Sequence, residues 1–120
     1  MHSVAEVEPR VLQVFAQLHD VRYEFWMDKT LRYFQGHFPE LALLPGVVQT
    51  QWAQLYARRH FPLPDRLAYL ANLKFMRIIE PESHVHLHLS WNAGAEVEFE
   101  YRCEGDLCSQ GVLGWSAAGG

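Results

Sequence analysis

The chain has 120 residues, 49% of them hydrophobic, and a formal charge of −4. That length suits one domain over residues 1–120, and the apolar share is enough for a packed core. The acidic balance offers no field for nucleic acid, and no apolar run is long enough to span a bilayer.

Residues 1–9 carry Glu6 and Glu8 without the apolar stretch of a secretory leader, and are expected to be a flexible lead-in. The segment from Val11 to Leu18 is apolar but has neither a clear helical nor a clear strand period. After His19-Asp20, Val21, Tyr23, Phe25 and Met27 alternate with Arg22, Glu24, Trp26 and Asp28, the pattern of a half-buried strand. Between Arg32 and Pro45 the chain is broken by Gly36 and Pro39 and ends in Pro45-Gly46, which reads as loop.

From Gly46 to His60 nothing breaks the backbone, and Val47, Val48, Trp52, Leu55 and Tyr56 fall at helical spacing. Pro45 suits the start of this helix. Arg58, Arg59 and His60 suit the negative end of its dipole, and Pro62 and Pro64 stop it. The remainder predicts a four-stranded meander, with strands within Leu67 to Ile79, from His84 to Trp91, around Val97 to Cys103, and from Leu107 to Ala117. A three-residue loop of Asn92-Ala93-Gly94, with Gly94 left-handed, sets Leu89 against Val97 and Leu87 against Phe99. The elements predict an α+β domain of the hot-dog type, one long central helix wrapped by a curved antiparallel sheet of about six strands.

The run Phe34-Gln35-Gly36-His37-Phe38-Pro39 and the later Leu44-Pro45-Gly46-Val47-Val48 carry a more specific signal. Together with Lys74-Phe75-Met76-Arg77-Ile78-Ile79 and Pro81, they resemble the ordered motifs of the β-hydroxyacyl-acyl-carrier-protein dehydratases. Val47-Val48-Gln49 with Trp52-Ala53 is similar to the branch associated with aryl polyene biosynthesis. The resemblance implies dehydration of a β-hydroxyacyl thioester to a trans-2-enoyl thioester, in fatty acid or aryl polyene type biosynthesis. It requires no cofactor or metal. It further implies His37 as the base and the Gly46 amide, at the helix N-terminus, as donor to the thioester oxygen. The family's acid comes from the opposite subunit, which implies a homodimer or higher oligomer. Phe38, Leu44, Val47 and Trp52 are the residues expected to line the acyl slot.

The chain departs from that pattern. Gln51 stands where the family usually has a carboxylate, Glu40 where it has glycine, and Ala42 where it often has proline. Helical periodicity places Gln51 on the inner stripe between Val47 and Leu55, either touching substrate or bridging a dimer as a buried amide. Glu40 either sets a carboxylate near His37 or is a solvated loop residue.

His84, His86 and His88 share a strand face. In the register above His88 meets Glu98 and His86 meets Glu100, a surface ladder rather than a metal site. Cys103 and Cys108 flank a turn at Gly105; free thiols are expected in a soluble, cytoplasmic protein, a local disulfide being the alternative. Arg58, Arg59, Lys74 and Arg77 are either solvated or dock a carrier protein, or coenzyme A, bearing the acyl group. A hot-dog thioesterase is the competing enzyme, but from Val47 to His60 the helix has no carboxylate to serve as its base. An acyl-binding or partner subunit is the third reading, kept open by Gln51.

Overall fold

Pro45 is the N-cap of α1, which runs from Gly46 to His60, and the chain leaves it at Phe61 in an extended conformation just ahead of Pro62. The computed structural model describes residues 8–31, 34 and 43–117. Around α1 lie β1 (Arg10–Ala16), β2 (Asp20–Trp26), β3 (Arg66–Phe75), β4 (His84–Trp91), β5 (Glu96–Cys103) and β6 (Asp106–Ser116). All are antiparallel, in the order β1-β2-β4-β5-β6-β3. Among the described residues this is one long helix against a six-stranded sheet, as the sequence pattern predicts.

The alternating strands behave as their period requires. Val21, Tyr23 and Phe25 of β2, Val85, Leu87 and Leu89 of β4, and Val97, Phe99 and Tyr101 of β5 all point into the core. They meet Val48, Trp52, Ala53 and Tyr56 of α1, with the Tyr23 and Tyr56 rings 4.4 Å apart and the Phe25 and Trp52 rings 6.4 Å apart. Each large apolar side chain buried here contributes roughly 1.5–3 kcal/mol.

Several expectations are corrected. The meander holds for β4, β5 and β6, but β3 does not lead into it. It pairs with β6 at the far edge, while β4 takes β2 as its other neighbour. Val11 to Leu18 contains a strand, β1. It lacks alternation because every one of its residues is partly exposed on the opposite edge. Residues 8–9 belong to the packed structure, since Pro9 is buried and Glu8 reaches Tyr56 Oη and Arg59.

The β4–β5 register lies two residues further along, with Leu89 against Phe99 and Leu87 against Tyr101. The cause is Asn92, whose Oδ1 accepts from the backbone N–H groups of Gly94 and Glu96 at 2.8 and 3.2 Å. That moves the loop one position on and makes Ala93, at φ 66°, the left-handed residue instead of Gly94. The shift is even, so the core face survives. It does change the ladder: His88 meets Glu100 and His86 meets Arg102. The acidic partners of His88 and His86 on the other side are Asp20, at 2.7 Å, and Glu24, at 3.9 Å.

Cys103 and Cys108, expected as thiols, are joined across the β5–β6 hairpin. The tight turn at Gly105 brings their Cα atoms to 6.3 Å, within bridging distance.

Candidate active site

The first turn of α1 has no side chain capping it and no acidic residue. The orphan amides of a helix start are usually met by a cap, so this end keeps donor capacity and the positive pole of the dipole. It opens on a recess of about 280 Å³. Leu43, Leu44, Gly46 and Gln49 form one side, and Phe75, Met76, Arg77 and Ile78, from the end of β3 and the segment after it, form the other. A Cβ on Gly46 would sit 3.0 Å from two atoms of the Phe75 ring, so glycine is what lets that aromatic wall approach the helix start.

The frame of the recess is fixed by backbone bonds. Leu44 N–H donates to Ile79 O at 2.8 Å, and the carbonyl of Cys108 accepts from Met76 N–H and Arg77 N–H at 2.8 and 3.1 Å. Behind the helix start, Gln49 is almost wholly buried. Its Nε2 donates to Leu44 O at 3.0 Å, its Oε1 accepts from Ser109 Oγ at 2.6 Å, and its carbonyl accepts from Tyr101 Oη at 2.6 Å. Burial drives the Tyr101 phenol well above its ordinary range, so it stays a neutral donor. At the mouth, Arg77 pairs with Asp106.

The sequence-predicted residues are placed as follows. His37 and Phe38, with Glu40 and Ala42, lie outside the described residues. Gly46 and Leu44 line the recess, and Leu44 is buried. Trp52 is buried against Phe25 in the core, outside the lining of the recess. The inner stripe expected through Val47, Gln51 and Leu55 is corrected: Val47 is 64% exposed, Gln51 is exposed and Leu55 is only partly buried. The helix turns Val48, Gln49, Trp52, Ala53 and Tyr56 to the sheet instead, because these match the aromatic floor of β2 and the Tyr101 and Ser109 hydroxyls. Phe75, on the wall of the recess, is half-exposed.

Sequence reasoning meets Gln49 only within the Val47-Val48-Gln49 run, without a role, and does not single out Ser109. A signal existed for Gln49, a polar residue three and four positions before Trp52 and Ala53 on the buried stripe. Ser109 had none, since it sits in a β6 face broken by glycines.

The other end of α1 carries a second polar group. Tyr23 Oη and His60 Nε2 are 2.5 Å apart, and Tyr56 Oη donates to Glu8 at 3.3 Å beneath Arg59. Burial first, then the Arg59 charge, holds the His60 imidazole below its ordinary range. Burial and the Glu8 carboxylate push the Tyr56 phenol up. Nothing in this cluster faces the recess.

No group of three or more histidine, cysteine or carboxylate residues is placed to hold a metal among the described residues. No helix among them is long and apolar enough to cross a membrane.

Several known proteins are similar to this chain in sequence or in fold. The 3-hydroxyacyl-acyl-carrier-protein dehydratase FabZ of Shewanella frigidimarina (strain NCIMB 400) is 34% identical over 67 residues. That match covers 48% of this chain and 44% of that protein, so less than half of the relative's length is represented. Among solved structures, the dehydratase heterocomplex ApeI:P from Xenorhabdus doucetiae is similar at a TM-score of 0.81 and 26% identity. The match covers 89% of this chain and 96% of that one. The thioesterase superfamily member 2 of Mus musculus shares the fold, at a TM-score of 0.70 and 14% identity over 88% of this chain and 80% of its own. The ApeI-like family profile, described as ApeI dehydratase, matches residues 13–112. A match over so much of the chain, on a hot-dog fold, shows that this protein belongs to the ApeI-like dehydratase family.

Proposed function

We propose that the chain dehydrates a β-hydroxyacyl thioester to the trans-2-enoyl thioester, in fatty acid or aryl polyene type biosynthesis, with the acyl group on a carrier protein or coenzyme A. The observation that carries the reading is the uncapped start of α1, with Gly46 opening on an apolar recess walled by Phe75, Met76 and Ile78. A thioester carbonyl laid in that recess has its oxygen at the Gly46 amide, where charge developing on the oxygen meets the positive pole of the helix.

In this mechanism the neutral imidazole of His37 takes the proton alpha to the thioester carbonyl. The electron pair moves onto the carbonyl oxygen and is held there by the Gly46 N–H. When it returns, the bond between the β-carbon and its hydroxyl breaks. The hydroxyl leaves as water with a proton returned from His37, while Gln51 of a second copy positions the leaving oxygen. Gln51 donates a hydrogen bond but no proton, so His37 carries both transfers. Support for a second copy comes from β3, a sheet edge whose Tyr69, Leu70, Leu73 and Phe75 are all at least 38% exposed. The exposed placement of Gln51 also leaves it free to serve a neighbour's recess.

The test is to incubate the protein with β-hydroxyacyl and enoyl carrier-protein thioesters and follow interconversion by mass. Interconversion that disappears in His37→Ala supports the proposal, and release of free thiol instead supports a thioesterase. Gln51 favours one further reading, an acyl-binding subunit that works beside an active dehydratase; the similar ApeI:P structure is a dehydratase heterocomplex. Neither conversion nor hydrolysis by the isolated protein supports that reading.

A further inference from the structure

We propose that Gln49 is a positioning residue for this chemistry, an internal clamp that fixes the direction in which the Gly46 amide points. The inference rests on the dehydratase reading and deepens it. The peptide plane that carries the Gly46 N–H is held on its carbonyl side, where Pro45 O accepts from Val48 N–H and Gln49 N–H at 3.1 Å each, but no capping side chain braces the residues leading into it. Here the residue two before Gly46 is gripped from both sides. Leu44 N–H is bound by Ile79 O and Leu44 O by Gln49 Nε2, at 2.8 and 3.0 Å. Gln49 is itself immobilised, because Ser109 Oγ donates to its Oε1 at 2.6 Å and Tyr101 Oη to its carbonyl at 2.6 Å. With Leu44 fixed and Pro45 stiff, the plane that carries the Gly46 N–H has little freedom left. A buried amide with both of its polar ends satisfied adds only modest net stability over a leucine of similar size, although that leucine would strip Leu44 O and the buried Ser109 Oγ of these partners. What the amide adds is orientation.

The role predicts a specific pattern of substitutions. Gln49→Leu removes both side-chain bonds and is expected to lower kcat about 10- to 100-fold, the cost of misplacing a transition-state donor. KM should stay within about threefold, since the apolar walls are untouched. Gln49→Glu separates positioning from packing. Its buried carboxyl, once protonated, donates to Leu44 O while still accepting from Ser109, so its kcat relative to the parent's at the same pH should recover as pH falls from about 8 to about 6, the ratio cancelling the protonation of His37 that both proteins share. The titratable groups nearby are Tyr101, which stays neutral, and Arg77, which pairs with Asp106. A Gln49→Leu kcat within twofold of the parent, or identical pH profiles for the Leu and Glu variants, overturns the proposal. The amide resonance of Gly46 in nitrogen-15-labelled protein reads the geometry without turnover. It should move in Gln49→Leu and in the milder Ser109→Ala, and an unmoved resonance overturns the clamp. A parent protein with no dehydratase activity defeats the functional reading alone and leaves the clamp to be judged by that resonance.

Discussion

Replacing Gly46 with alanine separates the stability of this fold from its proposed chemistry. The new methyl would lie 3.0 Å from two atoms of the Phe75 ring. Phe75 is 49% exposed, so the ring can swing outward by the few tenths of an ångström needed. Crowding of that kind costs about 1 kcal/mol. Exchanging glycine for alanine in a helix returns up to about 1 kcal/mol, and less at a first position. The two nearly cancel, and the melting temperature should move by no more than about 4 °C.

The effect on activity is of another size. A thioester oxygen must come within about 2.9 Å of the amide nitrogen to be held. The methyl occupies the side from which it arrives. Losing one such donor costs about 10²- to 10³-fold in kcat, or roughly 2.7–4 kcal/mol. The assay pairs a thermal melt with conversion of a β-hydroxyacyl carrier-protein thioester followed by mass. Gly46→Ala/Phe75→Ala provides the control, since it removes the crowding but not the methyl, and it should remain inactive. If Gly46→Ala keeps half of the parent rate, or the double variant regains it, the Gly46 amide is not the oxyanion donor.

Gln51→Glu should fold with a stability change within about 0.5 kcal/mol, because the site is exposed, and should raise turnover about tenfold or more if the absent acid limits the rate. An unchanged or lower rate in the same conversion assay would make Gln51 part of an adapted site. Gly111→Ala should destabilise the domain by about 2 kcal/mol in urea melts. Its Cβ would come within 2.7 Å of the buried Phe99 ring and 2.5 Å of Leu73, and only Leu73 has room to yield. A parent-like midpoint there would show that β6 is more pliant than its packing implies. The imidazole of His60 is held below its unfolded value, so the unfolded chain takes up the proton first as pH falls. The His60 contribution is therefore present above about pH 6.5 and is lost as pH drops from there through the folded value. Melts at stepped pH should show a shallower acid loss in His60→Gln than in the parent. Equal slopes would exclude His60 as a source.

What was legible in the chain depended on how far local pattern decides structure. The bounds of α1 follow from Pro45 and Pro62. The strands β2, β4 and β5 follow from strict alternation, since each faces the core on one side. The edges were harder. Along β1 every residue is partly exposed, and along β3 a break in register around Asn72, at φ 53°, blurs the period. Which strands become neighbours is a matter of long-range pairing, and so chain order alone predicts β3 as the first strand of a meander when it pairs with β6 at the edge. The hairpin register turned on a single side-chain acceptor, Asn92 Oδ1, that no apolar pattern records. For the site, the helix start and its glycine were visible, but the face of α1 turned inward was not. Gln49 and Gln51 are two residues apart on one helix, and only the hydroxyls of Ser109 and Tyr101, 60 and 52 positions beyond Gln49, decide between them.

Strand β6 grips both banks of the recess. The Cys108 carbonyl fastens the main chain of Met76 and Arg77, and the next residue, Ser109, secures the helix side through Gln49. Main-chain anchoring of this sort is indifferent to the side chains it carries. Exchanges at Met76 or Ile78 can therefore widen, narrow or reshape the cradle for a different acyl tail without loosening it. In lineages descended from such a chain, substrate range should drift at those two positions while Gln49 and Ser109 change together or not at all.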